Sequence, residues 1–145
     1  MRGFTLVELL VALAIVGLML SVAVPAGFRF YDGMQTREAV RDVVTLLAAA
    51  RQQAITSGEA QDVLVWPEER RIVLGKTERR LPGAVRVTVH GAKEVNRERA
   101  GVIRFYPEGG TSGGGIDITN PGAGTIAIGV DWLTGRVTQA VHDRS

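Results

Sequence analysis

Gly3-Phe4-Thr5-Leu6-Val7-Glu8-Leu9-Leu10 opens an apolar run that lasts from Phe4 to Val24 and holds one carboxylate, Glu8. As a helix rising about 1.5 Å per residue, the run would reach about 32 Å, enough to cross the roughly 30 Å hydrocarbon core of a bilayer. Glu8 is out of place in a mere anchor. An ionised carboxylate within a membrane helix costs roughly 2.5–3.5 kcal/mol on insertion scales, and such a group is expected to have a partner. That partner must be a cation near the interface. A free α-amino group on Phe4, made by cutting between Gly3 and Phe4, meets the requirement.

A secretory signal peptide cut near Ala23-Val24-Pro25-Ala26 is the rival reading of the same run. The run exceeds the 7–15 residues of a typical signal core, roughly speaking. It also contains Glu8, and helical patterning resumes beyond Pro25. From Thr36 to about Thr56, Val40, Val43, Val44, Leu47, Ala50 and Ala54 recur at three- and four-residue spacing, with Arg37, Glu38, Arg41, Asp42 and Arg51 between them. That is an amphipathic helix, with Gly58 as its terminator. Pro25 removes one backbone hydrogen bond, so it is either a helix stop at the membrane edge or a kink in one longer helix; the pattern beyond it favours the kink.

After Gly58 the period changes to two. Asp62–Trp66 and Arg71–Leu74 flank Pro67-Glu68-Glu69-Arg70 as a hairpin. Val85, Val87 and Val89 alternate with Arg86, Thr88 and His90. Val102–Tyr106, Ile116–Thr119, Thr125–Val130 and Arg136–Val141 complete seven short strands separated by glycine-rich turns. They imply an antiparallel sheet, or two packed sheets.

The residues Gly3 to Glu8 resemble the cleavage and assembly signature of type IV pilins and type II secretion pseudopilins. Gly17 and Pro25 match that family's habit in this helix, and the brevity of the leader Met1-Arg2-Gly3 is the one departure. The resemblance implies that a prepilin peptidase cuts between Gly3 and Phe4 and methylates Phe4. It also implies that Glu8 pairs with the amino terminus of a neighbouring subunit during assembly. Further on, Phe105-Tyr106-Pro107-Glu108-Gly109 and Val130-Asp131-Trp132-Leu133-Thr134-Gly135-Arg136-Val137 resemble the GspH/FimT branch. Ala50-Arg51 with Ala54-Ile55 is similar to it as well.

The expected fold is α+β: a pilin-like lollipop whose long amino-terminal helix packs on an antiparallel β-rich carboxy-terminal domain. Its expected parts are a leader (1–3), a transmembrane half-helix (4–24), an amphipathic half-helix (25–57) and a β-rich periplasmic domain (58–145). By resemblance the chain is a minor pseudopilin at or near the tip of a type II secretion pseudopilus, aiding export through the outer membrane. The alternative is a FimT-like minor pilin serving type IV pilus biogenesis or DNA uptake. Implied partners are the prepilin peptidase, the other minor and major pseudopilins, and inner-membrane lipid. Arg2 favours a cytoplasmic amino terminus and Arg29 opposes it; the resemblance implies a single-pass inner-membrane protein with its bulk in the periplasm.

Composition narrows the alternatives. Seventeen Lys and Arg face fifteen Asp and Glu in 145 residues, so the pI near 9.5 reflects the high pKa of arginine and not a large field. The pairs Arg70-Arg71, Arg79-Arg80 and Arg97/Arg99 read as solvated surface, which makes nucleic acid the least favoured partner. With no cysteine there is no disulfide and no thiolate metal site.

No constellation for catalysis, metal or cofactor binding emerges. Gly75-Lys76-Thr77 mimics the end of a phosphate loop, but Arg70 stands where that loop needs a glycine and no helix follows. His90 and His142 lack carboxylates at metal-ligand spacing. Ser112 has no nucleophile-elbow sequence around it. Gly109–Gly115 reads as a mobile loop. Trp66 and Trp132 read first as packing residues, Trp132 being the better interface candidate because it falls in a turn.

Overall fold

The computed structural model describes residues 3–91 and 100–142. One helix, α1, runs unbroken from Leu6 to Ser57, a length of about 78 Å at 1.5 Å per residue. Thr5, in extended conformation (φ −80°, ψ 152°), is its N-cap, and its hydroxyl accepts from the Glu8 amide at 3.2 Å. Gly58 ends it in the left-handed region (φ 71°), its N–H returning to the Ala54 carbonyl. This conformation is cheap only for glycine. Pro25 lies inside the helix and does not stop it. The Ser21 carbonyl simply loses its intrahelical donor there.

The two halves of α1 differ as their residues require. Every residue from Gly3 to Tyr31 is exposed, whereas Thr36, Ala39, Val40, Val43, Leu46, Leu47, Ala50 and Ala54 form one buried stripe. Of the anticipated core positions only Val44 is incompletely covered, sitting on the flank of the core. Each fully buried Val or Leu, such as Val43 and Leu47, contributes about 1.5–3 kcal/mol of burial energy.

Among the described residues eight strands follow: β1 (Gln61–Trp66), β2 (Arg71–Leu74), β3 (Thr77–Arg80), β4 (Arg86–Gly91), β5 (Gly101–Phe105), β6 (Gly114–Asn120), β7 (Gly124–Val130) and β8 (Val137–His142). They form two antiparallel four-stranded sheets, ordered β3-β2-β1-β5 and β4-β6-β7-β8. The stripe of α1 packs on both. Val63, Val65, Ile72, Ile103 and Phe105 of the first sheet meet it with Ile116, Ile118 and Ile128 of the second.

Seven strands were expected, and β3 is the addition. All four of its residues are exposed and three are charged, so it has no alternation for a pattern to catch. Ladder bonds to β2 hold it, with Arg71 reaching Glu78 at 3.5 Å. Gly75-Lys76 is merely the turn between β2 and β3, Gly75 at φ 57°.

The glycine-rich stretch after β5 is likewise not the loose loop its composition suggested. Tyr106 donates to the Gly110 carbonyl, Ser112 to that of Arg104, and Thr111 to that of Trp132 at 2.8 Å. Gly109, Thr111 and Gly113 are buried. The glycines serve close approach: a Cβ on Gly110 would lie 3.1 Å from the Trp132 carbonyl oxygen. The expected arginine pair Arg97/Arg99 lies outside the described residues.

Candidate functional site

The amino-terminal arm carries the residues singled out by the sequence. Gly3 and Phe4 precede the helix in non-helical, exposed chain, so the bond between them is not locked into a hydrogen-bonded turn. Nothing lies within 4 Å of where a Gly3 side chain would begin. Thr5 then caps the helix and Glu8 falls in its first turn. Thr5-Leu6-Val7-Glu8 is thus a capping-box sequence, a helix-start signal visible in the chain that gives Thr5 a role its place in the motif did not.

Glu8 lies beside the positive end of the helix. The helix N-terminus behaves as roughly half a positive charge, which favours a carboxylate in the first turn. That attraction is partial, and among the described residues no cation pairs with Glu8. The structure therefore places Gly3, Phe4, Thr5 and Glu8 along the exposed start of the helix, away from the buried core. An 18-residue window of this helix has a mean hydropathy of 2.6 with none of it buried.

At the other end of the arm the helix enters the domain through a polar junction. The Asp32 carbonyl accepts the Thr36 hydroxyl at 2.9 Å and the Asn120 side-chain amide at 3.2 Å. Asn120 is 2% exposed, and its Oδ1 takes the Gly122 N–H at 2.9 Å. The β6–β7 turn is thereby fastened to α1 where its exposed arm begins. Sequence reasoning could not find this contact, because the partners stand 88 positions apart.

The far end of the second sheet presents a rigid apolar tip. Asp131 Oδ1 accepts from the amides of Leu133 (3.1 Å) and Thr134 (2.8 Å) and from the Thr134 hydroxyl (2.8 Å). The Thr134 backbone and hydroxyl bonds, then that of Leu133 and the nearby charge of Arg136, hold the Asp131 carboxyl below its usual range. Gly135, at φ 63°, closes the turn by donating to the Asp131 carbonyl. Trp132 and Leu133 project from it, 67% and 65% exposed. Packing is thus not the role of Trp132 within this chain; Trp66 does pack, with the Arg71 guanidinium 4.1 Å from its ring centre.

Side-chain pairs also link neighbouring strands. Arg104 grips Asp62 directly across β5 and β1 with two bonds of 2.6 and 2.7 Å. Hydrogen bonding to Asp62, then its charge, raises the Arg104 pKa. His90 meets Asp117 at 2.8 Å on the outer face of the second sheet. Among the described residues no group of three or more His, Cys, Asp or Glu converges as a metal site would require.

Comparison with known proteins adds independent findings. Residues 1–24 match the prokaryotic N-terminal methylation motif, and residues 39–134 match the type II transport protein GspH family. The chain is 35% identical over 139 residues to type II secretion system protein H of Xanthomonas campestris pv. campestris, covering 94% of this chain and 82% of that one. A fimbrial protein of Pseudomonas aeruginosa is 32% identical over 77 residues, about half of either chain (53% and 49%). Among solved structures, the minor pseudopilin EpsH from the type 2 secretion system of Vibrio cholerae superposes with a TM-score of 0.59 at 11% identity, over 74% of this chain and 97% of that one. The type IV minor pilin FimU of Pseudomonas aeruginosa gives 0.56 at 11% identity, over 72% and 91%. These two likenesses establish the fold.

Proposed function

The chain belongs to the type II transport protein GspH family, and from that premise we propose that it is a minor pseudopilin, a structural subunit at or near the tip of a type II secretion pseudopilus. The observation that carries the reading is the pairing of a wholly exposed, apolar half-helix opened by Gly3-Phe4-Thr5-Leu6-Val7-Glu8 with a complete domain core built on the other half. Such an arm has no place to be buried within its own chain. Lipid before assembly and neighbouring helices after it are the environments that suit it.

The division of labour then follows the chain. Residues 1–3 are a leader removed by a prepilin peptidase, and Phe4 becomes the methylated amino terminus. Residues 4–24 span the inner membrane, 25–57 form the amphipathic half-helix, and 58–145 are the β-rich periplasmic domain. The non-helical, exposed geometry around Gly3 and Phe4 suits a peptidase, which must draw the scissile bond into its own site. Pro25 provides a flexible point because its ring removes a ladder bond, and a kink there lets the arm adjust to its neighbours.

Glu8 supplies the assembly force. Removal of the leader places a new α-amino group one residue before the Thr5 cap, beside the positive end of the helix. That like-charge juxtaposition is mildly unfavourable, roughly 0.3–1 kcal/mol for an exposed charge. A carboxylate from an adjacent subunit relieves it. In low dielectric the attraction between the two is far stronger than in water, so pairing draws each subunit to the one whose amino terminus is unpaired and sets the axial register. No bond-making step is assigned to this chain, and its partners are the other pseudopilins.

A type IV pilus subunit is the second reading, favoured only by the half-length match to a fimbrial protein. The match to a secretion protein along nearly the whole chain argues for export. The deciding experiment uses Glu8→Leu in a strain lacking the wild-type copy. Membrane retention should be unchanged or better, because a carboxylate that costs roughly 2.5–3.5 kcal/mol to bury is gone. Crosslinks to other pseudopilins and secretion of the exported proteins should fall, with Glu8→Asp intermediate. Loss of retention with intact crosslinking would reverse the assignment, and unaltered secretion in a strain deleted for the gene altogether would remove the protein from export.

A further inference from the structure

The two sheets have four outer edges, and three of them are protected. Strand β3 is short and three of its four residues, Glu78, Arg79 and Arg80, are charged. The edges of β4 and β5 face each other, close enough that a Cβ on Gly101 would overlap the Val89 side chain. The hydrogen bonds of Arg104 with Ser112 further cover β5. Strand β8 is different. It pairs with β7 without a bulge from Val137 to His142, and carries neither proline nor any Lys, Arg, Asp or Glu along that length. Among the described residues no further strand pairs with it. Charges, prolines and bulges are how proteins keep an edge from accepting another strand, and β8 has none of them.

The face beneath this edge is also unfinished. Pairing with Val130, Ile128 and Ile126 puts Val137, Gln139 and Val141 on the side of the second sheet that faces α1. Val141 nevertheless remains 74% exposed, because α1 is not wide enough to cover the outermost strand. Between β8 and α1 lies a groove of about 320 Å³ lined by Val40, Val44, Thr45, Ile126 and Gln139, with Arg37 and Arg41 on the helix side. Arg37 and Arg41 stand one turn apart on the same face and repel each other. Among the described residues neither forms an ion pair.

We propose that β8 and this groove are a docking site for an extended segment of a protein partner, which adds to the second sheet as a fifth strand. Main-chain hydrogen bonds to the free edge supply adhesion, and alternate side chains set specificity. A segment added beside β8 turns every second side chain toward α1. Apolar groups there would cover Val40, Val44, Ile126 and Val141, and a carboxylate at the helix side would meet Arg37 and Arg41. The occupant therefore carries both apolar residues and a carboxylate among the every-second positions that face α1. A second copy offering its own β8 lacks any carboxylate between Val137 and His142, and would leave both arginines unpaired. The site belongs to the head domain and does not depend on the filament reading.

The test uses the full chain in detergent micelles and three synthetic eight-residue peptides. One places valine and glutamate together at the every-second positions of one face with threonine at the positions between, one carries lysine in place of glutamate, and one has the glutamate sequence with N-methylated backbone amides. Peptide binding is read by fluorescence anisotropy and its location by amide hydrogen exchange. The glutamate peptide should bind at least tenfold tighter than the lysine peptide and slow exchange across residues 137–142; the N-methylated peptide should not bind. Arg37→Glu with Arg41→Glu should invert the ranking. Val141→Lys, at an exposed position that cannot unfold the core, should weaken binding of the glutamate peptide by at least tenfold. Equal binding of both charged peptides, protection elsewhere than 137–142, or no binding would overturn the proposal. So would concentration-dependent protection of β8 without peptide, which would assign the edge to a second copy.

Discussion

Gly135→Ala tests whether the tip of the second sheet is held as the contacts indicate. Two costs add. At φ 63° an alanine enters the left-handed region, worth about 1–2 kcal/mol. Its Cβ would also overlap the Gly109 carbonyl oxygen and approach Arg51 Nε to 2.9 Å. The oxygen belongs to a buried backbone whose own N–H is bonded to the Tyr106 carbonyl, so it cannot swing aside as a side chain could. Forcing it to move costs about 1–3 kcal/mol, for a total of about 2–5 kcal/mol. Gly124→Ala is the control: its φ is 88°, but the nearest atom to a Cβ is the His142 carbonyl oxygen at 3.6 Å, so only the conformational cost of about 1–2 kcal/mol applies. The assay is urea denaturation of residues 28–145, which contain every buried residue among those described. With a slope of about 2 kcal/mol per molar urea, the middle of the usual range, Gly135→Ala should lower the midpoint by about 1–2.5 M. Adding Arg51→Ala should recover little, because the tighter contact is with backbone. Equal destabilisation by the two glycine substitutions, within about 0.5 kcal/mol, would refute the steric reasoning.

Residues 28–145 should fold without the arm, giving a cooperative thermal transition and β-dominated circular dichroism; a disordered spectrum would mean that the core of α1 and the two sheets needs the membrane or a partner. Gly3→Val should leave the precursor inserted but uncut, and mass spectrometry of membrane extracts finding a methylated Phe4 terminus in the variant would count against that. The lowered pKa of Asp131 means the unfolded chain binds its proton more tightly. Its stabilising contribution is complete above the ordinary carboxylate pKa of about 3.9 and is lost as pH falls through the lower folded value. Asp131→Asn should flatten that part of the acid limb in a pH series of urea midpoints; an unchanged acid limb would show that the Thr134 bonds do not favour the charged carboxylate.

The candidate site was legible to the extent that it is written in consecutive residues. Gly3, Phe4 and Glu8 form a contiguous motif, and Thr5 could have joined them through its capping-box spacing to Glu8. Arg104, Asp62, Asn120 and Asp32 gave no such signal. Each matters only through a residue on another element, 42 positions away for Arg104 and Asp62 and 88 for Asn120 and Asp32. The tip misled for a related reason. A tryptophan is usually buried, but the Asp131 turn spends its hydrogen bonds on holding Trp132 outward.

By itself the sequence determined the apolar arm, the amphipathic stripe from Val40 to Ala54, the stop at Gly58 and seven of the eight strands. These depend on local periodicity and on the conformational limits of single residues, which neighbouring positions express. Tertiary structure decided the rest. It joined β1 to β5 and β4 to β6 across long stretches of chain, and divided the strands into two sheets sharing one helix. It made a strand of the charged Thr77–Arg80 by offering it a ladder. It also converted a glycine-rich stretch into buried, hydrogen-bonded chain against Trp132. Edge pairing consumes backbone donors and acceptors that every residue possesses, so side-chain pattern cannot say which edges meet. That choice is made when the sheets and the helix close on a common core, and among the described residues it leaves β8 an unpaired edge without the charges that guard β3.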